Sequence, residues 1–282
     1  MNEVALSRPL RNRLRLPLWA GVLLILLGWQ AQIVHGTVAS LQAQGDYIAV
    51  AADSLTVGSS RTTCKIAVLG DQIVFAASGI AGNKGDKDTS WNVFDLARQE
   101  YSAPRISDER VIRKVAEDYG RRIADKLNQE LKSDHGHDLL TYLLSGNGIA
   151  GQAIFAGFDQ KHQRDLVEVD VGIRSREKPV IETSIRILAE DGTPANDVIG
   201  AFRISEEYKL QQSERSRVWR HRLKVRSRKL QLKDRLALEA ETIVALTTRY
   251  NPEYAQPPID IVLISRGGGA TWIHRKNECR LH

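Results

Sequence analysis

Cysteine is nearly absent from this sequence: Cys64 and Cys279 are the two in 282 residues. No zinc-ligand spacing occurs, no glycine-rich phosphate loop is present, and no serine, histidine and aspartate stand in triad order. These absences remove the metal-stapled, nucleotide-binding and serine-hydrolase readings. The chain also lacks an excess of either charge, with 40 basic and 34 acidic residues giving a net +6. So small a balance implies little about partners. With 42% hydrophobic and 26% charged residues, the composition is that of an ordinary globular chain.

A long apolar run is missing too. Leu16–Trp29 is an uncharged, leucine-rich stretch of 14 residues, whereas a spanning helix takes about 20. It follows Arg8, Arg11, Arg13 and Arg15 and precedes a polar segment, Gln30–Gly36. That order fits a signal peptide, with Val34 and Gly36 at the positions where signal peptidase takes small residues. Residues 1–36 then form a leader, and 37–282 one large folded domain in an exported, periplasmic or secreted chain. The alternative is an uncleaved membrane anchor, in which Ile33 and Val34 extend the apolar span and residues 16–34 associate with the bilayer. Export favours pairing of Cys64 with Cys279. Two isolated thiols, with Cys64 buried on a strand, fit the sequence equally well.

Within the domain, Thr37–Ala43 and Tyr47–Asp53 read as a hairpin around Gly45-Asp46, and Cys64–Leu69 with Ile73–Ala77 as a second around Gly70-Asp71. Helical periodicity covers Thr89–Tyr101 and Asp108–Lys132, the latter capped by Ser107. Gln152–Phe158, Leu166–Val171 and Val180–Leu188 read as strands. Asn196–Gln211 and Lys229–Tyr250 read as helices, and Ile259–Ser265 with Ala270–His274 as a last hairpin. Blocks of strands alternating with blocks of helices predict an α+β layered fold of antiparallel sheets covered by helices.

The chemistry-bearing residues concentrate near the leader's end. Thr37 directly follows Gly36, and cleavage between them would put nucleophile and base on one residue: the hydroxyl attacks and the α-amine takes its proton. That amine needs no unusual tuning, since an α-amino group titrates near about 7.7–8.0. Gly36-Thr37, Ile48-Ala49-Val50-Ala51-Ala52-Asp53-Ser54, Lys65 and Phe75-Ala76-Ala77-Ser78-Gly79 together resemble the front of a proteasome β-type subunit. The resemblance covers Gly36 to about Tyr101, and more loosely Gly151–Asp170 around Ala156-Gly157-Phe158-Asp159. It implies the N-terminal nucleophile hydrolase fold, a four-layer αββα sandwich of two antiparallel sheets.

By the same resemblance, Thr37 is the nucleophile, and Asp53 orients the site and pairs with a lysine. That lysine is Lys65, which stabilises the alkoxide, and the Gly79 N–H holds the oxyanion. Lys65 falls four residues earlier than the family's lysine, which implies a shorter loop. The family's serine, in a Gly-Ser-Gly turn, is replaced near Ile199-Gly200-Ala201. Its late aspartate and serine are replaced within Asn251–Pro258, where Asn251 or Glu253 could substitute. The implied activity is a threonine peptidase or amide hydrolase working through an acyl-enzyme, unmasked by signal peptidase or self-cleavage. It would need no cofactor and no metal, act on a peptide or other amide, and form a homo-oligomeric ring. The alternative is a non-catalytic, proteasome-like assembly or binding protein tethered by an uncut leader.

Two further stretches carry chemistry-bearing residues. Asp134-His135-Gly136-His137-Asp138 has metal-ligand types but no partner cluster, and reads as a solvated turn. Arg215–Arg235 holds ten basic residues against Asp234. It reads as a solvated face or subunit contact, with polyanion or anionic-lipid binding as the sharper reading. Nucleic acid is the less favoured partner.

Overall fold

The computed structural model describes residues 37–54, 64–80, 82–83, 91–102, 111–134, 136–145, 148–175, 177, 179–200, 214–250, 252, 255–275 and 279. Residues 1–36, with Gly36 and the apolar stretch 16–34 expected to form a leader, lie outside them. All described residues belong to one unit of the chain, Gln32–His282. The elements are β1 (Ala39–Gln44), β2 (Tyr47–Ala52), β3 (Ile66–Leu69), β4 (Ile73–Gly79), β5 (Gly82–Asn83), β6 (Trp91–Asn92), α1 (Val93–Ser102), α2 (Val111–Leu131), α3 (Gly136–Ser145), β7 (Ile149–Phe158), β8 (Arg164–Ile173), β9 (Ile181–Ile187), β10 (Ala195–Ile199), α4 (Glu214–Ser227), α5 (Leu232–Tyr250), β11 (Asp260–Ser265) and β12 (Gly269–His274).

Two five-stranded antiparallel sheets are formed. The first has the order β10-β1-β2-β11-β12 and the second β3-β4-β7-β8-β9, while β5 and β6 make a two-residue ladder. The period-2 side-chain pattern sends each strand's two faces into different apolar layers. From β1 and β2, Leu41, Ile48 and Val50 meet Val74, Ile154 and Phe158 of the second sheet, so the sheets share an inter-sheet core. The opposite face of the first sheet packs Ala49, Ala51 and Val198 under Trp219, Leu223, Ala240 and Val244 of α4 and α5. The outer face of the second sheet packs Phe75, Phe155 and Val169 under α1, α2 and α3. The predicted class, α+β with layered antiparallel sheets, is therefore present.

Three local expectations change. Asn196–Gln211 was expected to be helical, yet Ala195–Ile199 is β10, paired with β1 from Ala195↔Ala43 to Ile199↔Ala39. Without β10 that side of β1 would carry unpaired backbone groups, and the ladder outweighs a helical pattern too short to bury both faces. Residues 201–211 lie outside the described set. The basic stretch is itself helical as α4, held by Trp219 and Leu223 at i, i+4 spacing. The Asp134–Asp138 segment is no loop throughout, because α3 starts at Gly136 and leaves His137 and Asp138 exposed on its first turn. His135 and the Ser107 cap lie outside the described residues.

Candidate active site

The β1–β2 hairpin begins the site. Its register places Ala39 opposite Ala52, so Thr37 and Asp53 stand just past the last pair, at the same end of the sheet. The Val38 N–H donates to Asp53 Oδ1 (3.0 Å), and the Asp53 N–H donates to the Val38 carbonyl (3.2 Å). Asp53 Oδ2 accepts the Gln256 N–H (3.1 Å), and the Gln256 carbonyl accepts the Ser54 N–H (3.0 Å). Asp53 is fully buried. Backbone N–H donors to both oxygens offset the cost of burying the group. Asp53 thus clamps the residue after Thr37 to the segment leading into β11.

Lys65 and Gly79 arrive from the second sheet. Thr37, Lys65, Ala77, Ser78, Gly79, Ile80, Val93 and Phe94 line one cleft. Thr37 is 2% exposed and Lys65 3%. The open space is about 10 Å³, room for roughly one water. An ammonium lining the same small cleft as a hydroxyl would favour negative charge on that oxygen.

Gly79 ends β4 opposite Gly151. The next residue, Ile80, donates its N–H to the Ala150 carbonyl (2.9 Å). In an antiparallel ladder the bonded positions alternate, so the Gly79 N–H is turned away from β7. Its φ is +90°, and a Cβ there would lie 2.5 Å from the Ala150 carbonyl oxygen. Only glycine fits such a backbone.

The structure places Gly200, read from sequence only as standing where the family's serine is missing, against Thr37, and adds partners that sequence reading missed. Gly200, at the end of β10, has φ +95° and packs its Cα face on Thr37, so that a Cβ would lie 1.7 Å from the Thr37 carbonyl oxygen. Its N–H donates to Gln152 Oε1 (3.2 Å). Gln152 Nε2 in turn donates to Glu168 Oε1 (3.1 Å) and Asp170 Oδ1 (2.7 Å). Arg186 is ion-paired with Glu168 and lies 3.5 Å from Asp197. Gln152, Glu168, Asp170, Arg186 and Asp197 occupy the same alternation as Ile154, Leu166 and Ile199, so they face the inter-sheet layer. Burial, with the Asp197 and Asp170 carboxylates beside it, pushes Glu168 up to about 8 against the lowering effect of Arg186. The polar letters at these strand positions were the available signal, because each breaks an apolar inward alternation.

The segment expected to hold the family's late helpers does reach the site, through the Gln256 backbone; Asn251 and Glu253 lie outside the described residues. Cys64 and Cys279 form a disulfide, closing 215 residues of chain. Cys64 stands just before β3, and Lys65 is the next residue. Cys279 Sγ lies 3.2 Å from Asp260 Oδ2. Among the described residues, Cys64, Asp260 and Cys279 are the one grouping of three metal-ligating types, and both sulfurs are committed to the disulfide. No helix among the described residues is long and apolar enough to cross a membrane.

The fold and site together define a helix-covered double sheet with a buried threonine, lysine and strand-end glycine around one cleft. No protein-family model and no curated protein matches the chain.

Proposed function

We propose that this chain is an N-terminal threonine hydrolase of the proteasome-like kind, with the N-terminal nucleophile hydrolase fold, activated when the Gly36–Thr37 bond is cut. The observation that carries the reading is the meeting of Thr37, Lys65 and Gly79 in one cleft, with Asp53 bound to the Val38 N–H. Residues from two sheets, separated by up to 42 positions (37 to 79), converge there.

After cleavage, the Thr37 amine takes the proton of its own hydroxyl while Oγ adds to the amide carbonyl. The Lys65 ammonium stabilises the forming alkoxide, and the Gly79 N–H donates to the tetrahedral oxyanion. The protonated amine then gives its proton to the leaving nitrogen as the C–N bond breaks, leaving an ester on Thr37 Oγ. A water activated by the same amine hydrolyses that ester and frees the enzyme. Asp53 acts without touching substrate, by fixing the backbone that carries Thr37.

N-terminal sequencing of the mature protein tests the premise, and a start at any residue other than Thr37 rejects it. In mature protein, Thr37→Ala is expected to abolish amide hydrolysis, a loss of at least about 10³-fold, while thermal unfolding stays within a few degrees. The second reading, a non-catalytic assembly or binding protein, draws on the absent Gly-Ser-Gly serine at Ile199-Gly200-Ala201. An electrophile that bonds both the amine and hydroxyl of Thr37 would separate the two, because labelling requires the cut and a reactive nucleophile.

A further inference from the structure

The outward face of α4 has a composition that folding does not explain. Its buried stripe is Ser216, Trp219, Leu223 and Ser227, which seats it on α5 and places Trp219 5.0 Å from the Tyr250 ring. On the opposite side, two turns apart, stand Val218 and Val225 at 40% and 60% exposure. Leu230, just beyond the helix, is 42% exposed. β-Branched residues are poor helix formers, and neither valine belongs to an apolar cluster among the described residues. By helical spacing, Arg217 and Lys224 flank this apolar line on one side and Arg222 and Arg226 on the other, all exposed. From Ser216 to Lys229 the chain has no acidic residue.

We propose that α4 docks on an anionic lipid surface, with Val218 and Val225 entering the headgroup boundary and the flanking arginines and lysine meeting lipid phosphates. Charge complementarity selects the partner's sign, and the apolar line selects its kind. A nucleic acid offers phosphates but nothing to bury two aliphatic side chains against. A second copy of this chain, meeting by the same face, would oppose two unbroken cationic rows. A lipid boundary satisfies both features at once, because a shallow helix there buries apolar tips while its cations attract acidic headgroups. The proposal is independent of the hydrolase reading and of the leader.

Hydrogen exchange on the full chain reads α4 separately from the basic leader. Vesicles of phosphatidylcholine containing phosphatidylglycerol are expected to slow exchange across Glu214–Ser227, and pure phosphatidylcholine vesicles are not. Replacing Arg217, Arg222 and Lys224 together by glutamine should weaken the α4-dependent binding about a hundredfold, at roughly fivefold for each cation near the surface. Val218→Ser with Val225→Ser, which keeps every charge and leaves the buried stripe intact, should also reduce the protection. No slowing on acidic vesicles overturns the proposal, as does equal slowing on neutral ones. Unchanged protection in the valine pair overturns it in favour of pure charge attraction. Stronger protection by a short RNA or by polyglutamate than by vesicles reassigns the face to a soluble polyanion.

Discussion

Gly200 bears directly on the backbone of Thr37. Its missing Cβ is the space that the Thr37 carbonyl occupies. Gly200→Ala is expected to add backbone strain of about 1–3 kcal/mol and to push Thr37 out of register with Lys65. Gly192→Ala is the control, because Gly192 also has positive φ (+83°) but nothing within 4 Å of a Cβ. Differential scanning calorimetry should show both losing stability and Gly200→Ala losing clearly more; equal losses would mean that the contact with Thr37 is not a constraint.

The carboxylates behind Gly200 make a second, pH-dependent case. Glu168 titrates near 8 in the folded protein, above its usual 4.5, so the native state holds its proton over a range in which the unfolded chain has released it. Folding stability tied to this group is then full below about pH 4.5 and is lost as pH rises toward 8. Arg186, although desolvated, is raised further by Glu168 and Asp197, and stays charged throughout. Glu168→Gln should flatten the fall in unfolding free energy between pH 5 and 8, measured by urea titration. A wild-type slope unchanged in the variant would place the proton elsewhere in the cluster.

At the scale of elements, the helix layer over the second sheet hangs on Phe75. Its ring meets Phe94 of α1, Tyr119 of α2 and Phe155 of β7 at centroid distances of 5.3, 5.2 and 4.9 Å. Phe75 is also three residues before Ser78, so the same strand sets the core and one wall of the cleft. Phe75→Ala should lower stability by about 3–5 kcal/mol, seen as a fall in urea midpoint, and loosen α1 against the cleft through Val93 and Phe94. The hairpins were readable because turn residues and period-2 alternation are local properties. β10 was not readable. Its five residues take their conformation from β1, a partner more than 150 positions away. α4 was hidden for the opposite reason: its buried stripe is narrow, and charge on its remaining faces masks the period.

The whole molecule is closed by the Cys64–Cys279 bond. A loop of 215 residues gives up much unfolded-state entropy, about 5 kcal/mol in the chain-entropy model. Cys64→Ala with Cys279→Ala is therefore expected to lower the melting temperature by roughly 10 °C or more. A change of only a degree or two would show that the unfolded chain is little constrained by the link. Because Lys65 adjoins Cys64, the same variant should weaken electrophile labelling at Thr37 if the link also steadies the lysine.

The hairpins β1–β2, β3–β4 and β11–β12, the helices α1, α2 and α5, the turns at Gly45-Asp46 and Gly70-Asp71, and the residue types suited to threonine chemistry are all written locally, so the sequence determined them by itself. The pairing of β10 with β1, the seat of Gly200 on Thr37, the carboxylate cluster behind Gln152 and the choice between thiols and a disulfide depend on contacts between distant positions. Those contacts are settled by which faces bury together when two sheets close on one another. Only the tertiary structure could decide them.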